Sequence, residues 1–348
     1  MAEIRIRKEG RAGRITLDRP KALNALTYGM CLEIDGALKA WVDDPAVALL
    51  LIDAEGERAF CAGGDIAEMY ATGTRGDWSY GRRFWSDEYR MNARIDAFAK
   101  PVVSFLQGFT MGGGVGVGCH GSHRIVGETS QIAMPECGIG LVPDVGGSFL
   151  LAQAPGRLGE YLGTTGARMG PADAILAGFA DRFVPEADWP ALKAELIESG
   201  DAGRIDTRTA TPPAGRLAAL QAEIDALFAG ETAGDIARAL NAAEGEVATE
   251  ARKAFGRAAP LSVACTVEIL HRLRAAPAMR AALELEYRFT YRSMEHADFL
   301  EGIRAAIIDK DRNPRWRHES AEAVPAAEVA KMLMPLGEDA LTFEEERT

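Results

Sequence analysis

Two acidic residues in the middle of the sequence have surroundings that suit catalytic chemistry. Glu136 follows Pro135 within a mainly apolar stretch, and Asp144 lies eight residues further on, just before Gly146 and Gly147. A carboxyl group in apolar surroundings loses hydration, which raises its pKa and makes it a stronger general base. In the ordinary structural alternative, Glu136 is an exposed residue at a strand end and Asp144 is a helix N-cap. The pattern favours two carboxyl groups that face one cavity.

Two glycine-bearing segments could supply backbone N–H groups to such a site. Residues 59–65 (AFCAGGD) and residues 111–121 (MGGGVGVGCHG) each follow a predicted strand. Gly64 ends the first loop, and Gly113 opens a predicted helix, where free N–H groups and the helix dipole favour an anionic oxygen. Glycine also lets a ligand approach the backbone closely. We predict that both N–H groups hold one carbonyl oxygen, with close helix packing as the alternative explanation of the glycines.

Three other patterns in the same region fit their usual functions less well. Glycines within 111–121 match the spacing of a dinucleotide-binding loop, but the match begins inside the predicted helix instead of at a strand–helix turn. His120 and His123 have the spacing of metal ligands, yet no third ligand lies at a suitable spacing. Cys61 or Cys119 could be a thiol nucleophile, but Cys119 and His120 are adjacent on a predicted helix and do not face each other.

Composition and charge limit the class of protein. The chain has 348 residues, of which 47% are apolar and 26% charged, as in a globular protein. A net charge of −12 disfavours nucleic acid or an anionic membrane as a partner. No apolar run approaches the roughly 18 residues of a membrane span, and no secretory signal is visible. The five scattered cysteines lack a C-x-x-C pair and indicate reduced thiols in a cytoplasmic protein.

The predicted secondary structure changes near residue 200. Before that point, a hairpin at 3–18 and short apolar strands such as 47–52 and 101–105 alternate with helices, which predicts an α/β core with a mostly parallel sheet. After it, the sequence consists almost entirely of helix formers. We therefore predict two parts, an α/β core over residues 1–200 and an all-helical C-terminal region over residues 201–348.

The same segments resemble those of a known family. AFCAGGDI, GFTMGGGVGVG and AMPECGIGLVPDVGG, in this order, are similar to motifs of the crotonase (enoyl-CoA hydratase/isomerase) superfamily. Within it, the chain is most similar to the family of 3-hydroxyisobutyryl-CoA hydrolases, in five stretches: SDEYRMN (86–92), MGGGVGVGCHG (111–121), MPECGIGLVPDVGG (134–147), PLSV (260–263) and residues 285–316. The resemblance implies the crotonase fold, a superhelix of ββα turns that forms two roughly perpendicular sheets, followed by a helical region.

The resemblance also implies roles for individual residues. It implies an acyl-CoA site in residues 1–200, where the N–H groups of Gly64 and Gly113 hold the thioester carbonyl oxygen. The catalytic carboxyl groups would be Glu136 and Asp144, and the substrate would contact these residues, Gly113 and Glu88.

One departure from the superfamily pattern bears on the reaction. Hydratases of this fold carry a second glutamate where this chain has Gly116, which disfavours hydration of an enoyl-CoA. The resemblance therefore implies hydrolysis of 3-hydroxyisobutyryl-CoA, a reaction of valine degradation. An enoyl-CoA hydratase, an enoyl-CoA isomerase that needs only Glu136, and a non-catalytic CoA-binding module remain the alternatives.

The remaining expectations concern ligands and partners. Arg19 and Lys21, in the N-terminal loop, are candidates for binding the CoA phosphates. No metal or cofactor is expected, because coenzyme A is part of the substrate. The superfamily forms trimers and hexamers, so a homo-oligomer is compatible with the resemblance.

Overall fold

The computed structural model of the protein describes residues 3–343, which contain nine strands and fifteen α-helices. The strands are β1 Ile4–Glu9, β2 Ala12–Leu17, β3 Leu49–Ala54, β4 Ala59–Cys61, β5 Val102–Phe105, β6 Phe109–Met111, β7 His123–Val126, β8 Gln131–Ala133 and β9 Arg182–Phe183. The helices are α1 Tyr28–Trp41, α2 Ala67–Gly73, α3 Ser79–Asp96, α4 Gly113–Gly118, α5 Gly147–Gln153, α6 Leu158–Thr165, α7 Pro171–Leu176, α8 Trp189–Ser199, α9 Leu217–Leu227, α10 Ala233–Ala242, α11 Glu246–Phe255, α12 Pro260–Arg274, α13 Met279–His296, α14 Phe299–Ile303 and α15 Ala326–Met332.

The first of two compact units holds both β-sheets. It comprises the chain up to Asp65 together with Arg90–Ala133 and Arg168–Ala218. The larger sheet has the strand order β1-β2-β3-β5-β7-β9, and the smaller sheet has the order β4-β6-β8. Only the hairpin β1–β2 is antiparallel among the paired strands of the described residues. The predicted hairpin and mostly parallel sheet are therefore confirmed.

The larger sheet is buried on both faces where the sequence shows its continuous apolar run. Leu49 and Leu51 of β3 belong to one cluster with Phe105 and with Trp189 of α8, whereas the intervening Leu50, also fully buried, points to the opposite face. A strand that carries apolar residues at every position is typical of such a doubly covered parallel sheet. The helix α8 thus covers one face of the sheet.

The second compact unit contains only helices and turns among its described residues. It comprises Ile66–Tyr89, Met134–Ala167 and the described chain from Ala219. A Cβ atom on Gly302 of α14 would collide with the carbonyl group of Ile139, so the missing side chain lets α14 lie directly against the 3₁₀ turn Glu136–Ile139. This close contact fixes the turn on which Glu136 lies.

The division near residue 200 concerns secondary structure along the chain. The described strands end at Phe183, and every regular element from α8 onward is a helix. The compact units follow a different division, because each of them is assembled from three separate segments of the chain. No helix among residues 3–343 is long and apolar enough to cross a membrane.

Candidate active site

Neighbouring strands of the small sheet position the two glycines that were predicted to donate N–H groups. In the parallel pair β4–β6, Cys61 lies opposite Thr110. Gly64 follows Cys61 by three residues, and Gly113 follows Thr110 by three residues. Because the carboxyl ends of parallel strands lie at the same edge of a sheet, both glycines belong to loops that leave this edge. Glu136 likewise follows the end of the third strand, β8, by three residues.

The backbone hydrogen bonds around Gly64 leave its N–H group without an acceptor among the described residues. In the parallel bridge between Leu26 and Gly64, Leu26 donates its N–H to Gly63 O at 2.9 Å and accepts from Asp65 N at 2.8 Å, so the N–H group of Gly64 takes no part in these hydrogen bonds. Gly113 is the first residue of α4, where N–H groups have no intrahelical acceptor. Neither N–H group finds another acceptor within residues 3–343. Both are therefore available to a ligand.

Another glycine of the same run has a packing role instead. A Cβ atom on Gly114 would collide with the carbonyl oxygen of Cys61, at the end of β4. A side chain on Gly118 would meet the ring of Phe60 at 2.7 Å. Close packing, the alternative explanation of the glycines, thus accounts for Gly114 and Gly118. It does not account for the available N–H of Gly113.

The three predicted carboxyl groups lie in the second unit, and all are buried. Glu88 lies on α3, Glu136 opens the 3₁₀ turn, and Asp144 lies in the loop before α5; their exposed fractions are 4–5%. The hydroxyl group of Tyr89 donates to Asp144 Oδ2 at 2.8 Å. By contrast, Glu88 Oε1 and Glu136 Oε2 accept no hydrogen bond from any described residue. These two buried oxygens are free to bind a substrate.

Burial, together with the charge of neighbouring carboxyl groups, raises the pKa values in this cluster. Burial raises the pKa of Asp144 to about 7, even though the Tyr89 hydroxyl bond favours its ionised form. Burial, followed by the charge of Asp144, raises the pKa of Glu136 and of Glu88 well above the ordinary value. Clusters of carboxyl groups with raised pKa values are typical of catalytic sites. The cluster can therefore hold and release protons near neutral pH.

Two residues that support Asp144 were not predicted from the sequence. The Tyr89 hydroxyl donates a hydrogen bond to the carboxyl group of Asp144. Glu286 on α13 accepts hydrogen bonds from Gly146 and Ser148, which follow Asp144 in the chain. Burial raises the pKa of Glu286 to about 8. The position of Glu286, within the buried face of an amphipathic helix, was a signal in the sequence, because acidic residues rarely occupy such a face.

The other candidates from the sequence are already paired, exposed, or unsuited to the predicted chemistry. The guanidinium group of Arg19 pairs with Glu3 at 2.9 Å and Asp65 at 3.1 Å, whereas Lys21 is exposed in the turn Pro20–Ala22. Burial raises the pKa of Cys119 to about 12, so this thiol is protonated and a poor nucleophile near neutral pH. Within residues 3–343, His120 and His123 belong to no group of three potential metal ligands.

Comparisons with known proteins identify the same family throughout. The family model described as enoyl-CoA hydratase/isomerase matches residues 12–333. A mitochondrial 3-hydroxyisobutyryl-CoA hydrolase of Gallus gallus is 35% identical over 351 residues, which cover 98% of this chain and 91% of that protein.

Two solved structures share the fold over nearly the whole chain. An enoyl-CoA hydratase from Rhodobacter sphaeroides is 63% identical with a TM-score of 0.95, covering 98% of this chain and 100% of that one. A carnitinyl-CoA dehydratase from Mycobacterium thermoresistibile is 40% identical with a TM-score of 0.94, covering 99% of both chains. These similarities confirm the crotonase fold that the motifs imply.

Proposed function

Because this chain belongs to the enoyl-CoA hydratase/isomerase family, we propose that it hydrolyses 3-hydroxyisobutyryl-CoA to 3-hydroxyisobutyrate and CoA, a reaction of valine degradation. Support comes from the hydrolase of Gallus gallus, which is similar over almost the whole chain. The observation that carries the proposal is the buried group of Glu88, Glu136 and Asp144, with no carboxyl side chain at Gly116. A hydratase of this fold would need one there.

Hydration of an enoyl-CoA is the second candidate, because the two similar structures are titled as a hydratase and a dehydratase. It would require a residue other than Gly116 to supply the second carboxyl group. Glu88 is a buried carboxyl group elsewhere in the chain that a hydratase could use for this purpose. The two reactions are separable by their products, since only hydrolysis releases a thiol.

In the proposed reaction, the N–H groups of Gly64 and Gly113 polarise the thioester carbonyl. Each such donor contributes about 3–4 kcal/mol of transition-state stabilisation in enzymes where it has been measured. Glu136 either attacks the carbonyl carbon, expelling CoA thiolate and forming an anhydride that water cleaves, or takes a proton from the attacking water. Both routes need ionised Glu136. Its raised pKa therefore predicts a rate that increases with pH well above pH 4.5.

The substrate's hydroxyl group gives Asp144 and Glu88 a function in specificity. Both are buried, and Glu88 Oε1 has no hydrogen-bond partner among the described residues. A hydroxyl group that bonds these carboxyl groups satisfies polar atoms that an unsubstituted acyl chain leaves unpaired. Sites that hydrogen-bond a substrate hydroxyl reject analogues without it by roughly 10⁴-fold or more. Isobutyryl-CoA should therefore be a much poorer substrate.

The decisive experiment measures thiol release from 3-hydroxyisobutyryl-CoA by the wild type and by Glu136→Gln. The variant keeps the shape of the side chain but loses its basicity, so we expect a decrease of roughly 10³-fold in kcat with the Tm unchanged or higher. Near wild-type turnover by the variant would disprove the role of Glu136. Loss of enoyl absorbance from crotonyl-CoA, without thiol release from the hydroxyacyl substrate, would favour the hydratase.

Three predictions from the sequence remain part of this proposal. Lys21, which forms no ion pair with a described residue, is the better of the two candidates for the CoA phosphates, because Arg19 is already paired. A homo-oligomer and a cytoplasmic location stay predictions. The hydrolase of Gallus gallus is named as mitochondrial.

A further inference from the structure

Glu286 is a fully buried carboxyl group for which the proposed reaction has no step. It lies on α13, is 0% exposed, and forms no ion pair with a Lys, Arg or His of residues 3–343. Burying a carboxyl group without a cation is costly unless its oxygens accept hydrogen bonds. Each oxygen of the Glu286 carboxyl group accepts at least one hydrogen bond.

The donors of these hydrogen bonds are Gly146, in the loop that carries Asp144, and Ser148, in the first turn of α5. Glu286 Oε2 accepts from Gly146 N at 2.9 Å, and Oε1 accepts from Ser148 N at 3.1 Å and from Ser148 Oγ at 2.5 Å. The Glu286 carboxyl group therefore binds the backbone both before and after Gly147, where the turn that follows Asp144 leads into α5. A single side chain thus fixes the backbone on both sides of Gly147.

This turn has a conformation that needs outside support. Val145 has a φ of 53°, which is a sparsely populated region for a β-branched residue, and Gly146 follows with a φ of 79°. Asp144 O accepts from Gly147 N at 2.7 Å, which closes the turn. Backbone strain of this kind costs about 1–3 kcal/mol and persists only when surrounding contacts enforce it. The hydrogen bonds to Glu286 are such contacts.

We propose that Glu286 is a positioning residue, whose carboxyl group holds the turn after Asp144 so that the Asp144 side chain meets the Tyr89 hydroxyl. This inference rests on the proposed function in one respect, namely that Asp144 binds the hydroxyl group of the substrate. The ionisable groups that face Glu286 and Asp144 come from two other segments: Tyr89 and Glu88 on α3 and Glu136 on the 3₁₀ turn. Glu286 acts on this group through the backbone.

The test compares Glu286→Gln, Glu286→Ala and Ser148→Ala with the wild type. Glutamine keeps the size of the side chain but offers only one oxygen, so one amide loses its acceptor. A displacement of about 1 Å can cost roughly 100-fold in rate. We expect kcat to fall about 10-fold in Glu286→Gln, about 100-fold in Glu286→Ala and about 3-fold in Ser148→Ala, with KM nearly unchanged. Glu284→Gln, an exposed change on the same helix, is the matched control and should match wild type.

A second measurement does not depend on activity. Amide hydrogen exchange should become at least roughly 10-fold faster in peptides that cover 144–150 of Glu286→Gln, and stay unchanged over α8. A kcat within twofold of wild type in Glu286→Gln and Ser148→Ala, or unchanged exchange over 144–150, would overturn the proposal. Ser148→Ala decides if the Glu286 variants fail to fold. Wild-type protein without thiol release would instead count against the proposed function, and the exchange result would still test the positioning role.

Discussion

Asp53 in the first unit and Asp144 in the second are equally buried, yet their surroundings are opposite in charge. Asp53, 2% exposed, accepts from Arg14 at 2.7 Å and pairs with Lys193 at 3.0 Å. Asp144, 4% exposed, accepts a hydrogen bond from the Tyr89 hydroxyl at 2.8 Å and lies among other carboxyl groups. The two aspartates are thus buried alike, but Asp53 has cationic partners and Asp144 has a neutral hydroxyl group.

The effect on ionisation shows which aspartate supports the fold and which is suited to chemistry. Burial alone would raise the pKa of Asp53, but the charge of Lys193 and the hydrogen bonds from Arg14 and Thr16 lower it below its ordinary value. Asp144 has no such cation, and its pKa rises to about 7. A carboxyl group that stays ionised stabilises the structure, whereas one that titrates near neutral pH can exchange protons with a substrate.

The largest expected effect is on stability in Asp53→Asn. Removing the charge leaves Arg14 and Lys193 without their buried partner, so we expect the free energy of unfolding at pH 7 to fall by about 3 kcal/mol. Because the folded-state pKa of Asp53 is lowered, this contribution is present above its ordinary pKa and lost as the pH falls further. Chemical denaturation at pH 7 and at a pH below 3.8 measures the effect.

A matched surface change provides the control for Asp53→Asn. Asp206 pairs with Arg182 at 3.1 Å, but its side chain is 70% exposed, so Asp206→Asn should cost at most about 1 kcal/mol. Equal losses in the two variants would mean that the buried pair contributes no more than an exposed one. The contrast between the two buried aspartates would then lose its basis in stability.

The next effect has the opposite sign and arises in Asp144→Asn. Because the folded-state pKa of Asp144 is about 7, against an ordinary value of 3.8, ionisation destabilises the folded protein as the pH rises between these values. We expect the neutral variant to be more stable than wild type by about 2 kcal/mol at pH 8, with a smaller gain at pH 5. Denaturation at both pH values tests this, and a variant that is less stable at pH 8 would contradict it.

The smallest effect concerns Tyr89→Phe, which removes the hydroxyl group that favours ionised Asp144. The pKa of Asp144 should rise by up to about one unit, and because a neutral Asp144 does not raise the pKa of Glu136, the acidic limb of kcat/KM should move to lower pH. Tyr287→Phe is the control, because the Tyr287 hydroxyl donates to the carbonyl of Arg82 at 3.2 Å. Identical pH profiles for wild type and Tyr89→Phe would show that this hydrogen bond does not tune the site.

The regular elements were largely predictable from local patterns. The apolar runs at 47–52 and 101–105 are patterns of neighbouring residues, and the strands Leu49–Ala54 and Val102–Phe105 lie within about two residues of these predictions. β4 and β6 were not predicted, because a strand of three residues is too short to show a period of two. The two strands that carry the Gly64 and Gly113 loops were therefore read as loop and helix start.

The candidate site was predictable only in part, because some of its residues are far apart in the sequence. Gly64, Gly113 and Glu136 follow the ends of strands, and their motifs are local. Tyr89 meets Asp144 across 55 residues, and Glu286 meets Ser148 across 138 residues. No pattern within one segment specifies such a contact, so these supporting residues became visible only in three dimensions.

The long separation between Ser148 and Glu286 has a consequence for protein synthesis. At roughly 5–20 residues per second, a ribosome adds the 138 residues from Ser148 to Glu286 in roughly 7–28 s. For that interval the nascent chain contains the loop at Asp144 without the side chain that holds it. A polypeptide that ends before residue 286 would lack the side chain that accepts these hydrogen bonds from Gly146 and Ser148.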